Sequence, residues 1–437
     1  MEPIVSKERK DFSPDVVVIG VGFVGLTLAM SLCSKGFKVL GVEKRKEIRV
    51  SLSNGITDVQ EPSLGRILER SLGEGIFRIS DRVHKGARAA NEMVFIVTVG
   101  TPIINKKVEN DAIINAVNEV RDFLRDGDLL IIRSTVAIGT CRNLILPILS
   151  QTGLKIRLAM CPERTIEGNA LEEIQELPQI VGGIDKGSSR KAIQFFKKFC
   201  KEVIEVSSIE SAEFLKLANN TYRDLNFAFA NELTLLATKI GISSREIINA
   251  ANYNYPRSRI SSPGPSGGPC LEKDPWILYE SGNRFGLEME ISKASRLVNE
   301  SSTMGFISEF INSIDESLTF RTVGLLGLSF KGEPKVQDTR GAFSLQIVRE
   351  LSTKDFRFYG FEPAGPVQIQ NVHTLSSMEE VLQLCEIIVI VNNSQEFKEI
   401  PDLLRAMRKS RIRAIVDMWG ILVNLELPKG IQYISWG

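Results

Sequence analysis

Val16-Val17-Val18-Ile19 runs straight into Gly20-Val21-Gly22-Phe23-Val24-Gly25, and Leu26-Thr27-Leu28-Ala29-Met30 follows without a break. Four consecutive apolar β-formers read as a parallel strand buried on both faces. The turn into the helix asks for glycine three times. Gly20 allows the tight turn, Gly22 lets a pyrophosphate approach the backbone, and Gly25 lets helix pack on strand. Phosphates then lie at the helix N-terminus beside Phe23 and Val24. The next strand, Lys38–Val42, ends at Glu43, 23 residues beyond Gly20, where a carboxylate accepts the adenosine ribose hydroxyls. An acid there favours NAD over NADP, with Arg45 close to the same cofactor. The plainer alternative is a glycine-rich turn in an ordinary α/β domain.

The α/β alternation continues. Met93–Val97 and Asp128–Ile132 read as strands, followed by Val99-Gly100-Thr101-Pro102 and by Arg133-Ser134-Thr135-Val136. Thr101 and Thr135 therefore stand at carboxyl ends of strands, where open α/β sheets bind ligands. After Leu158–Met160 comes Cys161-Pro162-Glu163-Arg164-Thr165-Ile166-Glu167-Gly168. Its carboxylates, Glu163 and Glu167, are four residues apart and suit ordering of water or sugar hydroxyls; an exposed loop with a salt bridge is the alternative. Strand signals vanish from Ser208 to about Ser317. Ala212–Thr238 reads as one long helix that packs through Leu215, Ala218, Leu225 and Phe229. Lys216 and Asn220 share a face of it and suit oxyanion stabilisation, with a solvated lysine at the helix edge as the alternative. A second helical run spans Ile291–Ile314. Strands return at Thr322, Phe356, Ile387 and Ala414. The turn Gly327–Lys331 is not a second G-x-G-x-x-G and reads as a nucleotide diphosphate site rather than a second NAD site; a purely structural α/β domain is the alternative.

The expected class is α/β: two parallel-sheet, Rossmann-like domains joined by a helical middle. The expected divisions are a polar tail at 1–14, a cofactor domain at 15–206, a helical domain at 207–317 and a second α/β domain at 318–437. Lys+Arg 54 against Asp+Glu 53 argues against nucleic acid or an anionic membrane as partner. No apolar run approaches the roughly 18 residues of a membrane span. The first residues lack an apolar signal core, so export is not indicated and a reducing cytoplasm suits the scattered cysteines. Those lie at 33, 141, 161, 200, 270 and 385, without a CxxC pair and with only two histidines, so no metal site is expected.

Pro263-Gly264-Pro265-Ser266-Gly267-Gly268-Pro269 can be neither helix nor central strand. It is a shaped loop that ends at Cys270, with Asp274 four residues on. If Leu271 opens a helix, the dipole and Lys273 favour a thiolate at Cys270, a nucleophile candidate. A buried structural cysteine is the alternative.

With these pieces in order, the chain resembles the UDP-glucose/GDP-mannose dehydrogenase family of nucleotide-sugar 6-dehydrogenases from about residue 15 to the end. The resemblance rests on Gly20–Leu26 (GVGFVGL), Val99–Pro102 (VGTP), Ser134–Thr140 (STVAIGT), Pro162–Gly168 (PERTIEG), Lys216–Tyr222 (KLANNTY), Pro263–Asp274 (PGPSGGPCLEKD) and Leu326–Arg340 (LGLSFKGEPKVQDTR). It implies that a sugar C6 alcohol is oxidised twice, through an aldehyde, with two NAD consumed. Cys270 would attack the aldehyde, and the thiohemiacetal would be oxidised to a thioester. Asp274, or a water ordered by Thr135, Glu163 and Asp274, would serve hydrolysis, while Lys216 and Asn220 hold the oxyanion. The resemblance places Glu167 and Lys273 near the cofactor. It places Glu163, Arg164, Gly267 and Gly268 near the sugar, and Lys331 and Arg340 on the nucleotide side. Arg257 matches an arginine that in some members reaches the substrate of the partner subunit, which implies a homodimer. The loop wording points to a UDP-N-acetylhexosamine, UDP-N-acetylmannosamine first, with UDP-glucose and UDP-N-acetylglucosamine as alternatives. The loop is one residue shorter than the pattern PGPGVGGPC, and Glu272 is unusual at its position.

Two other readings remain at this level. A two-electron hydroxyacid-type dehydrogenase needs no cysteine and lacks a third α/β part. A non-catalytic nucleotide-sugar-binding protein would be expected to have lost Cys270, Lys216 or Asp274.

Overall fold

The computed structural model describes residues 12–84, 92–313, 322–352, 356–407 and 411–436. Most of the tail expected over 1–14 and the boundary expected at 317/318 lie outside the described residues. The chain forms two compact units, Met1–Ala218 and Asn219–Gly437.

The first unit contains β1 (Val16–Ile19), β2 (Val39–Val42), β3 (Phe77–Ser80), β4 (Val94–Val97), β5 (Ile103–Ile104), β6 (Lys107–Val108), β7 (Leu129–Ile132), β8 (Arg157–Met160), β9 (Gln179–Gly183) and β10 (Val203–Glu205). Eight of them make one sheet in the order β10-β9-β8-β7-β4-β1-β2-β3, and β5 pairs with β6. The run β3-β2-β1-β4 is the doubly wound order, with its switch point between β1 and β4. Neighbours run parallel except β8 and β9, which are antiparallel. Both faces are covered. Leu28 and Leu32 of the helix Phe23–Ser34 pack with Leu64, Leu68 and Phe77 on one side. Ile113, Val117 and Val120 of the helix Asp111–Arg121 pack with Val17, Phe95 and Ile132 on the other. Each such side chain contributes about 1.5–3 kcal/mol on burial.

The helix Ile209–Ile240 continues from the first unit into the second. The helices Ser244–Asn252, Asp274–Arg284 and Glu290–Ser313 follow, and no strand occurs among residues 208–313. The second sheet contains β11 (Thr322–Leu326), β12 (Arg357–Phe361), β13 (Val372–Thr374), β14 (Ile387–Ile390), β15 (Ala414–Asp417) and β16 (Gln432–Ser435). Its order, β13-β12-β11-β14-β15-β16, is again doubly wound, and all neighbours are parallel.

The long helix packs differently from the expectation. Leu215 does pack, partly buried, against the first core, but Ala218 and Leu225 are only half-buried and Phe229 is 47% exposed. Its buried face is instead Glu213, Leu217, Asn220, Asp224, Ala228 and Asn231. A polar face can go inside because its groups find partners. Glu213, for one, accepts the N–H groups of Gly139 (2.6 Å) and Cys141 (2.8 Å), where the next helical turn begins. Burial pushes its carboxyl above the ordinary range.

Candidate active site

At the carboxyl edge of the first sheet, Gly20 has φ +87° and its carbonyl accepts the Thr98 hydroxyl at 2.5 Å. A Cβ on Gly25 would stand 1.9 Å from the Gly20 carbonyl oxygen, whereas one on Gly22 would meet nothing within 4 Å. The turn is therefore closed on its helix side and open at Gly22. Phe23 and Val24 begin the helix there and are half-buried. Glu43 follows β2 and is buried. Its carboxylate accepts from the backbone N–H (3.1 Å) and Nε (3.0 Å) of Arg45. Burial pulls the carboxyl up, but Arg45 more than offsets this and holds it below the usual range. Glu43 is thus a fixed anion, and Arg45 serves to hold it. An open glycine turn at a helix N-terminus, next to an anchored acid, fits NAD.

The Thr101 hydroxyl donates to the Thr135 carbonyl at 2.5 Å, which joins the segments after β4 and β7. After β8, Glu163 is buried against Arg133, and its other oxygen accepts the backbone N–H groups of Arg164 (2.7 Å) and Thr165 (2.8 Å). The Arg164 guanidinium turns to the Pro178 carbonyl. Glu167 is half-buried just before Gly168. Glu61, which the sequence did not single out, accepts the N–H groups of Gly168 (2.5 Å) and Ala170 (2.9 Å) and so pins this segment. Lys216 is buried, and its charge helps to lower Glu163.

In the second unit the proline–glycine loop is anchored by the long helix. Gly264 N–H donates to Asn231 Oδ1 (2.9 Å), and Asn231 Nδ2 donates back to the Gly264 carbonyl (3.1 Å). Ser266 donates to Asp224 (3.3 Å), which is ion-paired with Arg296 at 2.6 Å and accepts from Asn299 at 2.9 Å. Gly267 and Gly268 pack against protein. Added Cβ atoms would stand 2.5 Å from the Gly341 carbonyl and 2.6 Å from Phe330, and Gly268 has φ +93°. The carboxyl of Glu272 abuts Gly341, and burial raises its pKa.

The helix after Cys270 opens at Asp274, not Leu271, because Pro275 occupies its first turn. The Cys270 carbonyl accepts the N–H groups of Lys273 (3.2 Å) and Asp274 (2.9 Å). Asp274 is fully buried and accepts from Asn220 Nδ2 (2.5 Å) and Lys273 Nζ (2.8 Å). The structure therefore brings Asn220, Lys273 and Asp274 together one turn beyond Cys270. Cys270 is exposed, and the other five cysteines are buried. Burial pushes the thiols of Cys33 and Cys385 up to about 12 and that of Cys200 to about 11. Cys141 and Cys161 are pushed up by burial as well.

Other candidates lie elsewhere in the second unit. Lys331 Nζ stands 5.5 Å over the Phe330 ring, and the Arg340 guanidinium bonds Asp338. Arg257 is exposed and donates to the Tyr255 hydroxyl at 3.1 Å.

Comparison with known proteins decides the family. Residues 14–200, 210–301 and 324–424 match the NAD-binding, central and UDP-binding domains of the UDP-glucose/GDP-mannose dehydrogenase family. The chain belongs to this family. A UDP-N-acetyl-D-mannosamine dehydrogenase of Methanococcus aeolicus is 30% identical over 99% of this chain and 95% of its own length. One from Methanocaldococcus jannaschii is 31% identical over 96% of this chain and 95% of its own. The structure of UDP-D-ManNAc dehydrogenase from Pyrococcus horikoshii is similar with a TM-score of 0.83 and 28% identity, covering 96% of this chain and 98% of that one. As a family member the protein is an NAD-dependent nucleotide-sugar dehydrogenase with an NAD-binding and a UDP-binding domain. Among the described residues, no helix is long and apolar enough to cross a membrane, and no group of three or more His, Cys, Asp or Glu could hold a metal.

Proposed function

We propose that this dehydrogenase oxidises the C6 hydroxymethyl of UDP-N-acetylmannosamine to the carboxylate through a covalent adduct on Cys270. One observation carries the reading: of six thiols Cys270 alone is exposed, and it is held one turn before a fully buried, doubly bonded Asp274. Bound at Gly20–Gly25, Glu43, Thr101 and Thr135, NAD supplies the hydride acceptor for each of the two oxidations. The Cys270 sulfur adds to the C6 aldehyde, the hemiacetal carbon loses a hydride, and water cleaves the resulting thioester to carboxylate and thiol. A thiol suits this because it leaves readily where an alkoxide would not. Lys216 and Asn220, both buried on one face of the long helix, hold the oxyanion. Asp274 accepts a proton from the hydrolytic water, and Asn220 and Lys273 fix its orientation. Arg164, Gly267, Gly268, Lys331 and Arg340 contact the sugar nucleotide, and Glu167 lies on the cofactor side. The choice of sugar is supported by the relatives' activity.

A homodimer completes the proposal. Tyr222, Phe229 and Leu236 recur every seven residues on the exposed side of the long helix, at 60%, 47% and 60% exposure. Such a stripe suits a second copy of the same helix, and Arg257 would reach the partner's substrate. Light scattering showing a fully active monomer would exclude it.

The deciding experiment offers NAD and a panel of UDP-sugars and counts NADH. Two NADH per sugar are expected, with UDP-N-acetylmannosamine turned over best; a binding protein gives none. Cys270→Ala should keep its fold and lose roughly three or more orders of magnitude in uronate formation, about 4 kcal/mol of barrier. Asp274→Asn should accumulate a sugar-nucleotide adduct on Cys270, visible by intact-protein mass spectrometry. Near wild-type uronate formation by Cys270→Ala would refute the covalent route.

A further inference from the structure

β7, β8 and β9 end or begin at the same edge of the first sheet, because β9 runs antiparallel to β8. Arg133 is the first residue after β7, Glu163 follows β8, and Gln179 opens β9. All three are buried. Arg133 Nε donates to Glu163 Oε2 at 2.9 Å, and its NH2 group donates to the same oxygen. Its NH1 group donates to Gln179 Oε1 (2.8 Å) and to the Cys161 carbonyl (3.2 Å). The Gln179 amide is oriented in turn, since Nε2 donates to the Ile180 carbonyl (2.8 Å) and the Pro162 carbonyl (3.3 Å). Glu163 Oε1 already accepts the two backbone N–H groups of Arg164 and Thr165. Four donors thus converge on one carboxylate, which has about four acceptor positions.

We propose that Arg133 and Gln179 are positioning residues for the active site: they clamp Glu163 as a permanent carboxylate, which shapes the backbone from Arg164 to Gly168 and exchanges no proton during turnover. This rests on the dehydrogenase reading above. The fold gives it mechanical sense. Thr135 lies two residues beyond Arg133, and Glu167 lies four beyond Glu163, so one buried network sets two segments assigned to the site. Burial favours a protonated Glu163, but the Arg133 charge and the backbone donors outweigh it and hold the carboxyl below its ordinary range.

The test uses Arg133→Met, Arg133→Lys and Glu163→Gln in the full chain. Arg133→Met should lower kcat about 100-fold, the scale of a misplaced catalytic segment. Its acid limb in the kcat–pH profile should move to higher pH, because Glu163 loses the charge that kept it ionised. Arg133→Lys should return the limb toward its wild-type position. An unmoved profile in Arg133→Met with only a lower melting temperature would mean a purely structural role and overturn the proposal. A second readout needs no turnover: the stability difference between wild type and Glu163→Gln, followed by denaturant unfolding against pH. A carboxyl held below its unfolded pKa contributes stability above that value and loses it as pH falls through the folded one. The difference should stay constant from about pH 5 to 9 and shrink at lower pH. A change centred near neutral pH would show Glu163 taking up a proton and would sink the proposal, whether or not any UDP-sugar is turned over. Failure of the dehydrogenase reading alone would appear as a wild type that makes no NADH yet shows the constant difference.

Discussion

Six strands of the first sheet, β3-β2-β1-β4-β7-β8, repeat the order of the second sheet, yet the first turns of the two sheets do opposite things. In the first, β1 leads through an open Gly22 directly into a helix, and the acid after β2 is held at its side by Arg45. In the second, β11 leads to Ser329, whose N–H (2.9 Å) and hydroxyl (2.7 Å) both donate to Glu362, the acid after β12. Asn392 donates to the same carboxylate at 3.2 Å, and a Cβ on Gly327 would stand 2.3 Å from its side chain. The next helix starts only at Phe343. In the second turn Ser329, Asn392 and Glu362 bond one another, and among the described residues no helix begins directly after β11. The fold supplies the place, and three or four residues decide whether a dinucleotide can occupy it.

The largest test of this contrast is Gly25→Val. Its side chain would collide with the Gly20 carbonyl, so NAD affinity should fall about 100-fold or more, near 3 kcal/mol, by calorimetric titration. The mirror experiment, Ser329→Gly, should create no second NAD site; a stoichiometry of two NAD per chain would break the comparison. Glu43→Gln comes next. Losing a charged acceptor costs about 1.5–3 kcal/mol, so NAD should bind roughly tenfold to hundredfold more weakly and discrimination against NADP should narrow. Glu362→Gln should leave NAD affinity unchanged.

The smallest effect is in pH. Burial holds Glu362 above its ordinary value of 4.5, and its hydrogen bonds only partly offset that. Its contribution is full below that value and is lost as pH rises through the raised folded pKa. Glu43, held below 4.5, contributes above that value and is lost as pH falls. Hydrogen-exchange protection in β11 and β14, corrected for the intrinsic pH dependence of exchange, should therefore rise on mild acidification, and Glu362→Gln should remove that rise; β1 and β2 should lose protection only in stronger acid. Equal responses in both sheets would erase the distinction.

What could be read from the chain followed burial. β1, β2, β4, β7 and β14 are continuous apolar runs, and each was legible. β3, β10, β13 and β16 are half-exposed edge strands without such a run, and were not. The glycine turn of the NAD-binding domain was legible because chemistry and spacing coincide there, and Glu43, Cys270 and Asp274 were singled out on the same ground. Arg133, Gln179, Glu61 and Asp224 were not, since their partners are distant in sequence. The polar period through Glu213, Asn220, Asp224 and Asn231 was the missed signal: a helix that buries acids and amides is organising loops.

The inequality among the cysteines has a consequence for how such an enzyme fails. A peroxide attacks thiolate that solvent can reach, and the five buried thiols are neither ionised near neutral pH nor accessible. Damage therefore begins at Cys270, as a sulfenic acid that a small reductant can still reverse. On the proposed covalent route, activity would disappear while both sheets remain folded, and it would return on reduction until the sulfur reached the sulfinic state.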